Sequence, residues 1–349
     1  MAGGIGSRFW PMSRTDKPKQ FLDFLGTGKT LIQQTFERVT RIVPKENVYI
    51  VTNTLYKELT LEQLTDITEK QVICEPSRRN TAPCIAYANH KIKKINPNAN
   101  ILVAPADHLI IKEDVFAEAV QKCFDFASNN DALITMGITP TRPDTGYGYI
   151  QFINNDDELK KVKTFTEKPN HELAVQFIES GEFSWNSGMF IWNINSISKA
   201  FENHLPNTTA IFAEGEAFYN TDKEAEFIER AYSTCKDISI DYGIMEKAEN
   251  VFVLNVDIGW SDLGTWGSVY THLKRDENEN AKVGKNIMLY DTNNCMINVP
   301  KDKLVVIQGL DDYIVVEANN TLLICKKSDE QKIKQFVQDV KIDKGEKFV

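Results

Sequence analysis

TAPCIAYANHKIKKI (81–95), ANILVAPAD (99–107), EDVFAEAVQKCFDFAS (113–128) and ALITMGI (132–138) follow one another along the chain, an amphipathic helix and a short apolar, partly β-branched strand, twice over. This order predicts strands joined by crossover helices, and so a mainly parallel sheet with helices on both faces. The same alternation reaches back through KTLIQQTFERVTRI (29–42), the strand NVYIVTN (47–53), a helix over 54–66 and the strand QVIC (71–74). Thr30 followed by Gln33 forms a T-x-x-Q capping box, which starts the first helix near Thr30, and Gly26 and Gly28 before it are turn residues.

Beyond this stretch, Tyr147 to Phe165 alternates like a hairpin, and helix and strand then mix up to VFVLNV (251–256), which reads as an insertion on the same domain. After the polar KRDENENAKVGKN (274–286) come closely spaced short strands, NIMLYDT, CMINV, KLVVIQGL, YIVVEANN and TLLICKK. Asn293, Asn294, Gly309, Asn319 and Asn320 punctuate them, and one amphipathic helix ends the chain. The expected fold is therefore α/β: a Rossmann-like, mixed, mainly parallel sheet over residues 1–268, then a small all-β domain, a short β-helix or roll, over 269–349.

A length of 349 residues suits about two domains, and 42% hydrophobic with 26% charged residues is a globular composition. A peptide hormone, a knottin or a lone zinc module is excluded. Forty basic against 49 acidic residues give a net charge of -9, which disfavours the coating of a polyanion, so any anionic ligand needs a local basic site. Cys74, Cys84, Cys123, Cys235, Cys295 and Cys325 are widely spaced and contain no C-x-x-C pair, so reduced thiols are expected. MAGGIGSRFW has neither a basic n-region nor an apolar h-region, and no apolar run approaches the roughly 18 residues of a membrane span. The expectation is a soluble cytoplasmic protein.

Local basic charge lies at the beginning. Arg8, Arg14, Lys17 and Lys19 stand against one acid, Asp16, beside Gly3, Gly4 and Gly6. Glycines let backbone amides approach phosphate oxygens and basic side chains neutralise the remaining charge, so the segment reads as a phosphate cradle. It is not a dinucleotide fingerprint, because Phe9 stands where G-x-G-x-x-G needs its last glycine. It is not a Walker loop either: Gly28, Lys29 and Thr30 give the G-K-[ST] end, but Asp23 stands where the first glycine is required.

GGIGSRFWPMSR (3–14) followed by DKPKQF (16–21) resembles the signature of the sugar-1-phosphate nucleotidylyltransferases, and among them the mannose-1-phosphate guanylyltransferases. The likeness continues through EPSRRNTAP, APADH, TRPDTGYGYI, FTEKP, WNSGMF, SIDYGIMEK and GWSDLG and into the β-domain, so it covers nearly the whole chain. It implies GTP and mannose 1-phosphate as partners, GDP-mannose and pyrophosphate as products, and Mg2+ as cofactor. By similarity, Arg8 faces the departing pyrophosphate and Lys19 the α-phosphate and sugar phosphate, with Gly3, Gly4 and Gly6 at the nucleotide. Asp107, after the strand ILVAPA, and Asp262 are the implied metal ligands, with Asp257 a nearby competitor for the second place.

Guanine offers two adjacent donors, N1–H and the exocyclic amine, to which a carboxylate is complementary; Glu75 occupies the matching loop, with Asn80 and Thr81 beside it. Gly148, Glu167, Lys168 and Asn186 are implied at the sugar phosphate. Ser239 reads as a helix cap, and Trp185, Trp192, Trp260 and Trp266 carry no site role. No nucleic acid or membrane is expected as a partner, and a homodimer is. Two alternatives share the same residues: an enzyme for another hexose 1-phosphate or nucleotide, and a catalytically silent regulatory subunit. The family places an apolar strand just before the glycine loop, whereas here Gly3 is preceded by two residues only, so an upstream extension of about 5–10 apolar residues is expected.

Overall fold

A computed structural model describes all 349 residues. They form two compact units that do not follow chain order: Met1–Gly3, Arg38–Pro105 and Ile110–Trp260 make the first, and Gly4–Glu37, Ala106–Leu109 and Ser261–Val349 the second. Along the chain, α1 (Leu31–Thr40) precedes β1 (Ile50–Asn53), α2 (Lys57–Gln63), β2 (Val72–Glu75), α3 (Thr81–Ile95), β3 (Asn100–Val103), the two-residue β4 (Leu109–Ile110), α4 (Glu113–Asn129) and β5 (Leu133–Ile138). The expected alternation is there, element for element. One half of the capping box is seen: Gln33 Oε1 accepts the Thr30 backbone N–H at 3.0 Å.

The first unit continues with the hairpin β6 (Gly148–Phe152) and β7 (Leu159–Glu167), then α5 (His171–Ser180), β8 (Phe183–Asn193), α6 (Ile194–His204), α7 (Pro206–Ala213), α8 (Glu224–Thr234), a π-turn at Asp241–Met245 and β9 (Val251–Asn255). Its main sheet has the order β3-β8-β5-β9-β7-β6. β5 and β9 pair in parallel, while β3 and β5 point the same way because each pairs antiparallel with β8 between them. The sheet is mixed, as expected, but its pairing is not mainly parallel: β5–β9 is its one parallel pair, because β8 lies antiparallel between β3 and β5 and the β6–β7 hairpin adds further antiparallel pairing beyond β9.

Strand periodicity explains the burial. Along β8, Phe190 and Trp192 enter the core formed with α3, α6, α7 and α8, while Met189 and Ile191 enter the opposite core formed with α4 and α5. Alternate side chains point to opposite faces, and a sheet covered on both must be apolar at every position. β1 and β2 make a parallel two-stranded sheet of their own. The Ala2 N–H donates to Val51 O at 2.7 Å, and the Met1 ammonium donates to Ala104 O at 2.7 Å.

The second unit contains the chain after the two-residue β10 (Trp260–Ser261) enters it: α9 (Trp266–His272), β11 (Ala281–Val283), β12 (Asn286–Tyr290), β13 (Met296–Asn298), β14 (Leu304–Gln308), β15 (Tyr313–Ala318), β16 (Thr321–Lys326) and α10 (Ile333–Lys344). β11, β13 and β15 stack in parallel, as do β12 and β14, and β16 closes the first stack antiparallel to β15. Successive coils contributing to parallel stacks make a short β-helix, one of the two forms expected. Its corners use left-handed residues, Asn294 (φ 54°), Gly309 (φ 76°), Asn319 (φ 49°) and Asn320 (φ 61°), where asparagine and glycine are least strained.

The N-terminal signature is part of this unit's core. Phe9 and Phe24 lie 4.5 Å apart by ring centroids, both stand edge-on to Trp266, and the trio packs with Met296, Ile314, Val316 and Ile333. No helix in the chain is long and apolar enough to cross a membrane.

Candidate active site

The glycine loop is built around Lys19. Ile5 O accepts both the Lys19 backbone N–H at 3.2 Å and the Ser13 hydroxyl at 2.5 Å, which folds the loop back on itself. Gly6 allows the fold in two ways: its φ is 69°, and a Cβ there would come within 2.5 Å of Lys19 Cβ. Gly6→Ala is therefore expected to lower stability by about 1–3 kcal/mol and to displace Lys19. A thermal melt read beside turnover checks it, with loss of turnover exceeding the unfolded fraction at the assay temperature.

Lys19 is buried, yet its ammonium is satisfied: it donates to Asp107 Oδ2 at 2.9 Å and to the Asp262 carbonyl oxygen at 2.6 Å. Burial by itself would raise the Asp107 carboxyl, but the charges of Lys19 and His108 and the hydrogen bond from Lys19 outweigh it and hold the group below the usual carboxylate range. His108 Nε2 is 3.8 Å from Asp107 Oδ1. Asp262 Oδ1 accepts the Gly264 N–H at 3.0 Å, an Asx turn that fixes the carboxylate next to the carbonyl holding Lys19. Lys19, Asp107 and Asp262, more than 240 residues apart in sequence at the extremes, thus meet at one ammonium.

The other basic residues of the loop differ in use. Arg8 donates through Nε to Gln331 Oε1 at 3.0 Å. Arg14 is buried and donates to the carbonyls of Pro11, Lys347 and Asn319 and to Thr321 Oγ1, which ties the loop to the β-helix. In the first unit, Asp257 pairs at the surface with Lys112. No cluster of three or more His, Cys, Asp or Glu side chains suited to a metal occurs in the chain. A magnesium ion completed by substrate phosphates needs only one or two carboxylates, and the oxygen set of Asp107 and Asp262 fits that requirement.

Two further groups belong to the first unit. At the end of β2, Glu75 is buried, and the Tyr232 hydroxyl from α8 donates to its Oε1 at 3.0 Å. Burial raises the Glu75 carboxyl to about 7, against the downward pull of Tyr232, the chain's first amino group and Arg78. The position of a Gly3 Cβ is 4.0 Å from Glu75 Oε2, so the backbone at Gly3 passes close to this carboxylate. Asn80, at φ 64°, caps α3 by accepting the Thr81 N–H at 3.0 Å, and Thr81 Oγ1 accepts the Ile240 N–H at 2.8 Å. Both side chains already serve the local fold.

The second group joins Gly148, Glu167, Lys168 and Asn186. A Cβ on Gly148 would collide with Glu167 Oε2 and sit 3.5 Å from Asn186 Cβ, while Lys168 Nζ is 3.2 Å from Glu167 Oε1. Asp241, to which the sequence reading gave no role, completes it: Asn186 Nδ2 donates to Asp241 Oδ1 at 2.7 Å. Its only sequence mark was its place in SIDYGIMEK. Ser239 caps there, as read, accepting the Tyr242 N–H at 3.2 Å. Tyr232 was likewise missed, because a tyrosine on an amphipathic helix reads as core.

A nucleotidyl transferase family model matches residues 1–279, and a MannoseP isomerase/GMP-like beta-helix domain model matches residues 284–340. A mannose-1-phosphate guanylyltransferase of Escherichia coli is 35% identical over 97% of this chain and 74% of its own length. The solved structure of mannose-1-phosphate geranyltransferase from Thermus thermophilus superposes with a TM-score of 0.88 at 29% identity, covering 98% of each chain. That of mannose-6-phosphate isomerase from Helicobacter pylori gives 0.60 at 28% identity over 71% of this chain and 96% of its own. With a family model matched over most of its length and a relative above 30% identity across nearly all of it, the chain belongs to the nucleotidyl transferase family.

Proposed function

We propose that this enzyme transfers GMP from GTP to mannose 1-phosphate, giving GDP-mannose and pyrophosphate. The observation that carries the reading is the buried Lys19 ammonium, held between Asp107 and the Asp262 carbonyl inside a glycine loop. A sugar-phosphate oxygen is already anionic, so it attacks the α-phosphorus without a protein base; its new P–O bond forms as the bond to the β-phosphate oxygen breaks in line, and pyrophosphate departs. What the protein must supply is position and positive charge. Lys19 neutralises charge at the α-phosphate and sugar phosphate, Arg8 meets the departing pyrophosphate, and the Gly4 and Gly6 amides line the phosphates. Glu75 accepts from guanine N1–H and its amine, with Gly3, Asn80 and Thr81 around the base. Gly148, Glu167, Lys168 and Asn186 hold the sugar phosphate.

A divalent metal, Mg2+ in this reading, would be held by Asp107 and Asp262 and would supply further charge neutralisation at the phosphates. The reading includes a homodimer in the cytoplasm. Six unpaired cysteines, five of them buried, support a reducing compartment, and the exposed Met288, Tyr290, Leu304 and Val306 of β12 and β14 form apolar surface of the kind self-association covers. The test is a panel of GTP, ATP, UTP and dTTP against mannose, glucose and galactose 1-phosphates. GTP with mannose 1-phosphate should give the highest kcat/KM by about tenfold or more, and turnover confined to another pair, or absent throughout, rejects the reading.

A further inference from the structure

The geometry points to Asp241 as a positioning residue of the sugar pocket, one that holds the Asn186 side-chain amide in a single orientation so that its second N–H is presented to a sugar hydroxyl. This rests on the reading that Asn186 binds the sugar phosphate.

The orientation of an amide follows from its partners, because its oxygen only accepts and its nitrogen only donates. The Gly188 backbone N–H can only donate, and it points at Asn186 Oδ1 at 3.1 Å. Thr135 Oγ1 lies 3.3 Å from the same oxygen and donates to it. The Asp241 carboxylate accepts on the other side, 2.7 Å from Nδ2. Three contacts from β5, the β8 backbone and the π-turn thus agree on one orientation. One Nδ2–H is committed to Asp241, and the other remains for the pocket where Gly148, Glu167 and Asn186 converge.

The carboxylate is held in place for this task. Ile240 next to it is anchored by its N–H to Thr81 Oγ1 at 2.8 Å, and Ser239 caps the turn. A π-turn, rare and concentrated at functional sites, widens the backbone at Asp241. Burial raises the Asp241 carboxyl and the Asn186 donor draws it back down, while Glu167 adds a second negative charge nearby. The Glu167 carboxylate and the Asn186 amide beside Gly148 suit a polyol, whose hydroxyls both donate and accept.

Four enzymes test this: Asp241→Ala, Asp241→Asn, Asn186→Ala and the double alanine variant, each assayed for KM and kcat with both substrates and for thermal midpoint. Asp241→Ala is expected to raise the KM for mannose 1-phosphate about tenfold with the KM for GTP within about twofold of the parent. Asp241→Asn, whose Oδ1 still accepts the Asn186 N–H, should recover most of that. In the Asn186→Ala background, Asp241→Ala should add nothing, since a residue acting through Asn186 has no further effect once the amide is gone. A parental sugar-phosphate KM in Asp241→Ala, with a raised one in Asn186→Ala, overturns the positioning role alone. So does a rise of both substrates' KM together, or the full effect added on top of Asn186→Ala. An unchanged KM in Asn186→Ala instead removes the sugar-site reading beneath it.

Discussion

Replacing Asp107 by alanine is expected to reduce turnover by about a hundredfold or more, since it takes away a proposed metal ligand and the partner of the central lysine. The structure adds a second effect. Lys19 is buried, so the variant leaves an ammonium with only the Asp262 carbonyl to accept from it, and breaking such a pair destabilises by roughly 3–5 kcal/mol where both charges are buried. The Asp107 side chain is 29% exposed, which lets water reach it and places the expected loss below that range, at about 1–3 kcal/mol. Asp107→Asn separates the two effects: it keeps an acceptor for Lys19 and most of the stability while still losing the charge. Because the folded carboxyl lies below its usual range, this stabilisation is present above the unfolded pKa and disappears as pH falls through the folded one. Near-parental turnover in either variant, measured with saturating divalent metal, removes Asp107 from the chemistry.

Glu75→Gln is expected to lower the preference for GTP over ATP by about 1–3 kcal/mol in kcat/KM, because the amide turns into a donor one acceptor proposed to face guanine. The environment of Glu75 adds a pH signature. With its carboxyl raised to about 7, only part of the enzyme carries the ionised form at neutrality, so GTP preference should grow as pH rises from about 6 to 8 in the parent and stay flat in the glutamine variant. Stability should move in the opposite direction. A raised folded pKa means the protonated form is favoured by folding; that contribution is complete below the unfolded value of 4.5 and is lost as pH rises through about 7. Glu75→Gln should therefore gain roughly 2–3 kcal/mol on the parent at about pH 8 relative to pH 4. Chemical denaturation at the two pH values checks the gain, and a pH-independent GTP/ATP ratio in the parent removes Glu75 from base recognition.

The alternation from residue 29 to 138 was legible because each helix and strand carries its own period, readable in a window of about a dozen residues. The hairpin at Tyr147–Phe165 and the coils after residue 286 were legible for the same reason, helped by turn asparagines. Strand order was not. Nothing local in FSWNSGMFIWN says that it will lie between β3 and β5, since that placement is decided by which neighbours bury both its faces. The glycines and basic side chains of the loop were readable from Gly3, Gly4, Gly6 and their neighbours, but its packing on Trp266 and Ile333 was not, since that contact joins residues more than 240 apart. Among site residues, Lys19, Asp107 and Asp262 were named through resemblance, and geometry gave what resemblance lacked: that one ammonium touches both aspartates. Asp241 and Tyr232 stayed hidden because each works through a neighbour, Asn186 or Glu75, and no spacing rule records that relation.

The seating of Phe9 and Phe24 against Trp266, Met296 and Ile314 has a consequence for the order in which the protein is made. A ribosome adds about 5–20 residues per second, so the signature segment leaves the exit tunnel roughly 15–60 s before the coils that cover its aromatic side chains exist. During that interval the rings have no native partner, and the Arg14 guanidinium lacks the carbonyl of Asn319 and the hydroxyl of Thr321. The helices and strands of residues 38–105 and 110–260 can condense as they emerge, because their partners are already present. The glycine loop cannot. Made early, it is among the last segments to reach its native environment, so a nascent chain arrested before about residue 320 holds Glu75 and Asn186 in formed elements but lacks the coils against which the loop carrying Lys19 packs.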